Sequence, residues 1–281
     1  MEKKGRLVLV GTPIGNLEDI TLRALRELRE ADVIAAEDTR TTRKLLTRYD
    51  IHASLLSFCG EHEREKSQRL LKLVREGKRV ALVSESGMPG VSDPGWLAVR
   101  ACREAGLPVE VIPGPSSLTA ALSLAGLPPG PVYFHGFLPS RPTARRKLLE
   151  ELAGRPEAMV LFESPHRLRA CLEDMARAFG GRRVSLMREL TKLHQEVREG
   201  LPAELLESLG EERVRGECVL VAAPAQGEEP AEEADWEGLL REVRREVERG
   251  ASLSEACRRT AASRGVSRRE LYARCVSSTE K

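Results

Sequence analysis

Four segments concentrate glycine and proline directly behind short apolar runs: Gly11-Thr12-Pro13-Ile14-Gly15, residues 84–95, Pro113-Gly114-Pro115-Ser116-Ser117 and His135-Gly136-Phe137-Leu138-Pro139. Glycine lets a backbone approach a ligand closely and proline holds a loop in shape, so such segments bind largely through main-chain groups. One cluster alone is usually a turn. Four of them behind four apolar runs point to a ligand cleft. A Walker phosphate loop is excluded because no GxxxxGK[ST] occurs, and Gly11 with Gly15 lacks the GxGxx[GA] dinucleotide spacing.

Charged residues gather at two further run ends. Glu37 and Asp38 precede Arg40 and Arg43, and Glu163 opens the block Glu163-Ser164-Pro165-His166-Arg167. Carboxylates in these places can accept a proton, and Glu85 and Glu189 are further candidates. A helix N-cap at Asp38 or Thr39 with a local salt bridge fits the same residues equally well. Arg167 and Arg188 suit phosphate or carboxylate clamps, because a guanidinium stays charged and offers a planar fork. His166 can shuttle a proton, although a lone histidine is more often structural. His52, His62, His135 and His194 show no ligand spacing, so no metal is expected.

The elements that would position these groups alternate. Strands are expected at 7–10, 33–36, 80–83 and 109–112. Helices are expected behind Asn16 (with Ile20, Ala24, Leu25 and Leu28 on one face and Asp19 capping), at 67–75, at 96–105 up to Gly106, and from Pro115 to Gly126. Leu127-Pro128-Pro129-Gly130-Pro131 is a break. Strands follow at 133–137, 159–162, 184–187 and 218–222, and helices at 145–152, 167–179 and 203–209. Such alternation signals α/β layers, in which ligands bind outside the carboxyl ends of strands. Residues 224–233 read as an acidic linker, and three helices are expected beyond it at 239–247, 253–262 and 268–276, with Gly265 in a turn and Ser267 as an N-cap. The expected domains are 1–127, 128–224 and 235–281, with a linker at 225–234.

Composition adds bounds. A chain of 281 residues that is 41% hydrophobic can bury two cores and a small appendage. The formal charge of +2 does not by itself predict a nucleic-acid partner. No apolar stretch reaches the length of a membrane span and no apolar signal region opens the chain, so a cytoplasmic protein without membrane contact is expected. Six cysteines are scattered without a CxxC pair and read as small core or surface residues. Abundant Arg and Glu beside a single Asn, at position 16, suggest a thermophilic source.

The run from Val10 to Leu25, followed by Ala36-Glu37-Asp38-Thr39-Arg40, closely resembles the opening of the bacterial 16S rRNA (cytidine-2′-O)-methyltransferases of the tetrapyrrole methylase superfamily. Further matches are residues 84–95, 112–117, 134–139, 162–167, Arg188-Glu189-Leu190-Thr191-Lys192 and Gly216-Glu217. The matches are in order and span nearly the whole chain. Precorrin and diphthine methyltransferases share the superfamily fold but lack the Glu-Asp-Thr-Arg and Glu-Ser-Pro-His-Arg blocks. The family usually has Asp where this chain has Glu85, and Ala is common where Ser86 stands.

The resemblance implies two αβα domains with S-adenosylmethionine folded in the cleft between them. Pro13 and Ile14 would border the cofactor, and Gly87, Met88, Pro89 and Val91 would touch its methionine end. Ser116 and Ser117 would hydrogen-bond nearby, and Phe162, Met187 and Val219 would border the adenine. Glu37, Asp38, Glu163 and Lys192 are the catalytic candidates for activating a ribose hydroxyl, which is a poor nucleophile until its proton is accepted. Arg40, His166, Arg167 and Arg188 would face RNA. In the tail, Arg258, Arg259, Arg264, Arg268, Arg269 and Arg274 suggest a helix-turn-helix-like RNA contact, with a bundle that merely packs as the alternative. The implied substrate is a decoding-centre cytidine of 16S rRNA in the small ribosomal subunit, and the implied assembly is a homodimer. A tetrapyrrole methyltransferase, a base methyltransferase and a non-enzymatic rRNA-binding assembly factor are the rival readings.

Overall fold

The apolar runs become two five-stranded sheets. The computed structural model describes residues 5–60, 62–210, 214–225, 236–248, 250–264 and 268–277. In the first sheet, β1 (Arg6–Val10), β2 (Val33–Ala36), β3 (Ser54–Ser57), β4 (Arg79–Val83) and β5 (Val109–Ile112) lie in the order β3-β2-β4-β1-β5. Every pairing is parallel. Crossovers are made by α1 (Leu22–Glu30), α2 (Thr39–Arg48), α3 (Glu63–Arg75) and α4 (Trp96–Glu104), and α5 (Ser117–Leu124) follows β5. Because all five strands run the same way, all their carboxyl ends emerge on one edge.

Leu7, Val8, Ile34, Ala35, Leu82 and Ile112 are fully enclosed, as strands covered on both faces require. Two apolar clusters result, one on each face of the sheet. Ala24, Leu25 and Leu28 of α1 pack on one, and Leu70, Leu71 and Cys102 of α3 and α4 pack on the other.

The second sheet mixes directions. β6 (Val132–Phe137), β7 (Ala158–Glu163), β8 (Val184–Arg188), β9 (Glu196–Gly200) and β10 (Cys218–Ala222) lie in the order β6-β7-β10-β8-β9. Only β6 and β7 are parallel; β10 runs against both β7 and β8, and β9 runs against β8. α6 (Pro142–Ala153), α7 (Leu168–Phe179) and α8 (Pro202–Ser208) cover one face through Leu149, Leu152, Leu172, Met175 and Leu205. Within that layer Arg145 and Asp174 form a buried ion pair at 2.8 Å. The other face joins α5: Val160, Met187, Val219 and Val221 pack with Ala121 and Ala125, and with Ile14 from the first sheet's edge.

Several expectations needed correction. Asp19 does not cap α1. Asn16 caps a short 3-10 turn at Leu17–Asp19, and Thr21 caps α1 by accepting from the Ala24 N–H at 3.1 Å. β3 and β9 were not expected, α2 had entered only as the capping alternative at Asp38 or Thr39, and α3 and α6 begin earlier than their apolar faces suggested. The chain divides into two compact units, Met1–Ala225 and Gln226–Lys281, and both sheets belong to the first.

In the second unit, α9 (Trp236–Glu248), α10 (Leu253–Arg264) and α11 (Arg268–Ser277) bury Leu239, Val243, Ala256, Cys257, Leu271 and Cys275 against one another. The linker, Gly265 and Ser267 lie outside the described residues, as do the side chains of Arg268 and Arg269. No described helix is long and apolar enough to cross a membrane. None of the six cysteines forms a disulfide, and five are buried.

Candidate functional site

Parallel strands deliver three of the four Gly/Pro loops of the sequence to one edge, where they lock together. Thr12 and Gly87 exchange backbone hydrogen bonds at 2.9 and 3.2 Å, which ties the loop behind β1 to the loop behind β4. Gly11 and Gly114 lie against each other. A Cβ built on Gly11 would stand 2.7 Å from the Gly114 Cα and 2.6 Å from the Met88 Sδ. Gly87 takes a φ of +82°, a conformation that costs glycine nothing and other residues a good deal. The buried Ser84 hydroxyl donates within the same loop, towards the Ser86 and Gly87 carbonyls at 3.3 and 3.2 Å.

Between this edge and the second sheet lies a cavity of about 380 Å³. Its first wall holds Ile14, Glu37, residues 85–88 and 91–93, and Ser116, Ser117 and Leu118; its second wall holds Phe137, residues 162–165, Leu190, Glu217, Cys218 and Val219. Phe162 contacts Phe134 and Phe137 edge-on, with ring centroids 5.1 and 5.6 Å apart. Among the described residues five carboxylates line the cavity (Glu37, Glu85, Asp93, Glu163 and Glu217), and no Lys, Arg or His does.

Each of these carboxylates is held differently. Glu37 Oε2 accepts from the Glu85 N–H at 3.2 Å, and Glu85 takes the Thr41 hydroxyl at 3.5 Å. Glu163 is 1% exposed. Its Oε1 receives the Ser164 N–H at 2.7 Å and Arg167 Nη2 at 2.6 Å, while its Oε2 has no partner among the described residues. Glu217 pairs with Lys192 at 3.2 Å. Asp93 has no such cation. Burial pushes its carboxyl up to about 6, the nearby Glu37 and Glu85 charges push the same way, and the Ser84 hydroxyl bond only partly opposes them.

The lip of the second wall is a strained loop. Glu189 and Thr191 both take positive φ, at 50° and 66°, without being glycine. Lys192 Nζ stands 2.8 Å from Glu189 Oε1 and 3.2 Å from Glu217 Oε2, and the same Glu189 oxygen accepts the Glu217 N–H at 3.1 Å. Burial alone would raise Glu189, but Lys192 and the Glu217 N–H outweigh it and hold the carboxyl below its usual range. Thr191 Oγ1 accepts the Asn16 N–H at 3.1 Å, so the first loop of the chain leans on this lip.

Of the cofactor residues expected from the sequence, Ile14, Gly87, Met88, Val91, Ser116, Ser117, Phe162 and Val219 line the cavity. Pro13, Pro89 and Met187 do not. Met187 sits level with Val219 and Phe162 across the sheet but is fully covered, in the cluster that also contains Ile14.

Of the catalytic candidates, Glu37 and Glu163 line the cavity. Asp38 instead caps α2 through the Arg40 and Thr41 N–H groups at 2.7 and 3.4 Å, which is the alternative reading of that residue. Its bonds to the Arg40 side chain and backbone hold it below the usual aspartate range. Lys192 braces the lip from outside the cavity.

Arg40 and His166 are exposed, Arg167 is committed to Glu163, and Arg188 pairs with Glu196 at 2.9 Å. In the tail, Arg264, Arg259 and Arg258 pair with Glu242, Glu246 and Glu255 of the same unit, and Arg274 stacks over Trp236 at 4.2 Å. Asp93, Phe137, Glu217 and Cys218 also line the cavity; the sequence placed them in loops, matches or strands without giving them a role in the site. Among the described residues no group of three His, Cys, Asp or Glu could hold a metal ion.

Known proteins resemble this chain over most of its length. Residues 6–206 match the family of tetrapyrrole (corrin/porphyrin) methylases. The ribosomal RNA small subunit methyltransferase I of Halalkalibacterium halodurans is 42% identical over 274 residues, covering 96% of this chain and 94% of its own. The protein of the same name from Thermotoga maritima is 46% identical over 217 residues, covering 77% and 97%. Among solved structures, uroporphyrin-III-C-methyltransferase from Thermus thermophilus superposes with a TM-score of 0.56 at 28% identity, covering 78% of this chain and 94% of that one. The chain therefore belongs to the ribosomal RNA small subunit methyltransferase I family, within the tetrapyrrole methylases.

Proposed function

We propose that the protein transfers a methyl group from S-adenosylmethionine to the ribose 2′-oxygen of a decoding-centre cytidine in 16S rRNA of the small ribosomal subunit. Family membership supports the methyltransferase chemistry. The observation that carries the reading is the cavity itself, with main-chain loops on one wall, apolar rings on the other and five lining carboxylates, two of them paired with Arg167 and Lys192 from outside the lining.

The residues present fit the cofactor. A volume of about 380 Å³ lies within the range of small-molecule sites. Ile14, Phe162 and Val219 offer apolar surface to an adenine. Gly87, Met88, Val91, Ser116 and Ser117 offer backbone and hydroxyl groups to the methionine end, and the carboxylates suit its positive charges.

The same charges bear on the acceptor. Phosphates would be repelled from the cavity, so only the nucleoside of an RNA strand would enter while its backbone stays outside, near Arg40, His166, Arg167 and Arg188; the tail's Arg268 and Arg269 form a separate RNA contact in this reading. A tetrapyrrole rimmed by carboxylates would meet the like charges of Glu37, Glu85 and Asp93, which disfavours that rival.

S-adenosylmethionine supplies a methyl group already activated on a sulfonium. The chain supplies position and a proton acceptor. The locked loops at Gly11, Gly87 and Gly114 hold the donor, and the Glu37 side of the cavity receives the hydroxyl. Glu163 anchors the second wall through Arg167. Asp38 and Lys192 act as positioning residues, one starting α2 beside Glu37 and the other fixing the lip at Glu189 and Glu217. We include a homodimer acting in the cytoplasm in this reading.

The test is incubation with labelled S-adenosylmethionine and, separately, undermethylated small subunits, free rRNA and a tetrapyrrole. Label on a ribose 2′-oxygen of 16S rRNA is expected. Label on a base, or in the tetrapyrrole, refutes the reading.

A further inference from the structure

We propose that Asp93, on the loop between β4 and α4, is the group that takes the proton from the attacking hydroxyl. This rests on the function proposed above and names a residue for it. The case is made by comparing the five carboxylates that line the cavity.

A carboxylate tied to a cation or to several N–H groups is a weak base, because each partner stabilises the ionised form. Glu163 is tied to Arg167 and the Ser164 N–H, and it is enclosed. Glu217 is tied to Lys192. Glu37 holds the Glu85 N–H, and Glu85 holds the Thr41 hydroxyl out on the cavity's edge. Among the described residues Asp93 has neither a cation nor an N–H group bonded to it, is partly buried, and faces the like charges of Glu37 and Glu85. Glu163 and Glu217 add further negative charge from the opposite wall. A proton is the cheapest neutraliser for a group so placed. The resulting titration at about 6 leaves Asp93 ionised at neutral pH yet basic enough to accept.

A second feature of the same cavity points to a bound ligand independently: the enclosed Glu163 carries an oxygen without a partner. In the step itself, the hydroxyl proton passes to Asp93 as the oxygen–carbon bond forms. The carbon–sulfur bond breaks, and its electron pair stays on sulfur as the neutral thioether. The loop's closure helps: the Gly95 N–H donates to Glu63 Oε1 at 2.9 Å and so ties the end of the segment to α3.

The experiment compares wild type, Asp93→Asn and Asp93→Glu in the full chain. Single-turnover methyl transfer to small subunits is followed across pH at saturating S-adenosylmethionine, and cofactor binding is measured by calorimetry. Wild-type rates should rise through about pH 6 and level off. Asp93→Asn should lower the plateau by about 10²–10⁴-fold and erase that rise, with cofactor affinity within about threefold of wild type. Asp93→Glu should recover part of the rate and restore a pH-dependent limb.

An Asp93→Asn enzyme that keeps the wild-type rate and limb overturns the proposal. So does one whose loss of rate is matched by an equal loss of cofactor affinity, since Asp93 would then be a binding residue. Wild-type protein that methylates no ribose of the rRNA refutes the function first, and with it this role.

Discussion

Replacing Asp93 by Asn should make the protein more stable, and the gain should depend on pH. In the folded state the Asp93 carboxyl is pushed from the ordinary aspartate value of 3.8 to about 6, chiefly by burial and secondly by Glu37. At roughly 1.4 kcal/mol per pK unit, that displacement sets an upper bound of about 3 kcal/mol, which solvent at this partly exposed carboxyl screens to less. Between those two values the folded state keeps a proton that the unfolded chain has already lost. Stability therefore falls as pH rises through this window, and the whole penalty is present above about pH 6. Asn keeps the shape without the charge and removes the penalty.

Urea denaturation of both proteins at several pH values provides the assay. Near pH 4 the two should differ little, and by pH 8 Asp93→Asn should be ahead, with about 2 kcal/mol of the difference developing between roughly pH 4.5 and 8. In a unit of this size that is a rise of about 4–8 °C in Tm. A stability difference that stays constant across this range would refute the reasoning, because a neutral packing effect carries no pH dependence. A gain in stability beside a loss of rate is also what a site built for reactivity predicts.

Other predictions rest on different contacts. Gly11→Ala should push Met88 and Gly114 apart, costing about 1–3 kcal/mol in stability and weakening S-adenosylmethionine binding, both read by calorimetry. Arg145→Ala should destabilise the first unit by about 1–3 kcal/mol in chemical denaturation, because the enclosed Asp174 would lose its 2.8 Å partner and keep only the longer pairs with Arg146 at 3.6 Å and Arg177 at 3.9 Å. An Arg268→Ala, Arg269→Ala double variant should bind rRNA more weakly with a shallower salt dependence and leave cofactor affinity unchanged; an unaltered salt slope would retire the tail as an RNA contact.

Much of the site was legible because parallel α/β architecture has a simple rule. Strands that alternate with helices run the same way, so the residue after each strand lands on one edge. Gly11, Glu37, Ser84 and Pro113 follow β1, β2, β4 and β5, and a list of strand ends therefore predicts neighbours that are far apart in sequence. Long amphipathic runs such as α1 and α7 were equally plain, since their apolar spacing is dictated by the faces they bury.

Short edge elements were not legible. β3 offers only Leu55 and Leu56 between two serines, and β9 only Val197 among charges, because an edge strand buries little and its sequence records little. α2 was hidden by its threonines and by the weight given to Asp38 and Arg40 as functional groups. Asp38 shows why one residue type is not one role. Its carboxylate could cap a helix or face a ligand, and only the fold chose the cap.

What the sequence determined alone was the family, the two layered sheets and the loops that approach a ligand, because these follow from local pattern and from residues whose backbone conformations are restricted. What the tertiary structure decided was which charges meet. β10 runs against its neighbours, so its amino end, with Glu217 and Cys218, arrives beside the carboxyl ends of β7 and β8, a position that no rule about strand ends would assign. In the same way Asp93, unremarked within a Pro/Gly loop, becomes a partly buried carboxylate of the cavity that faces Glu37 and Glu85. Burial and the company of other charges set its proton affinity, and both arise only when distant segments are brought together.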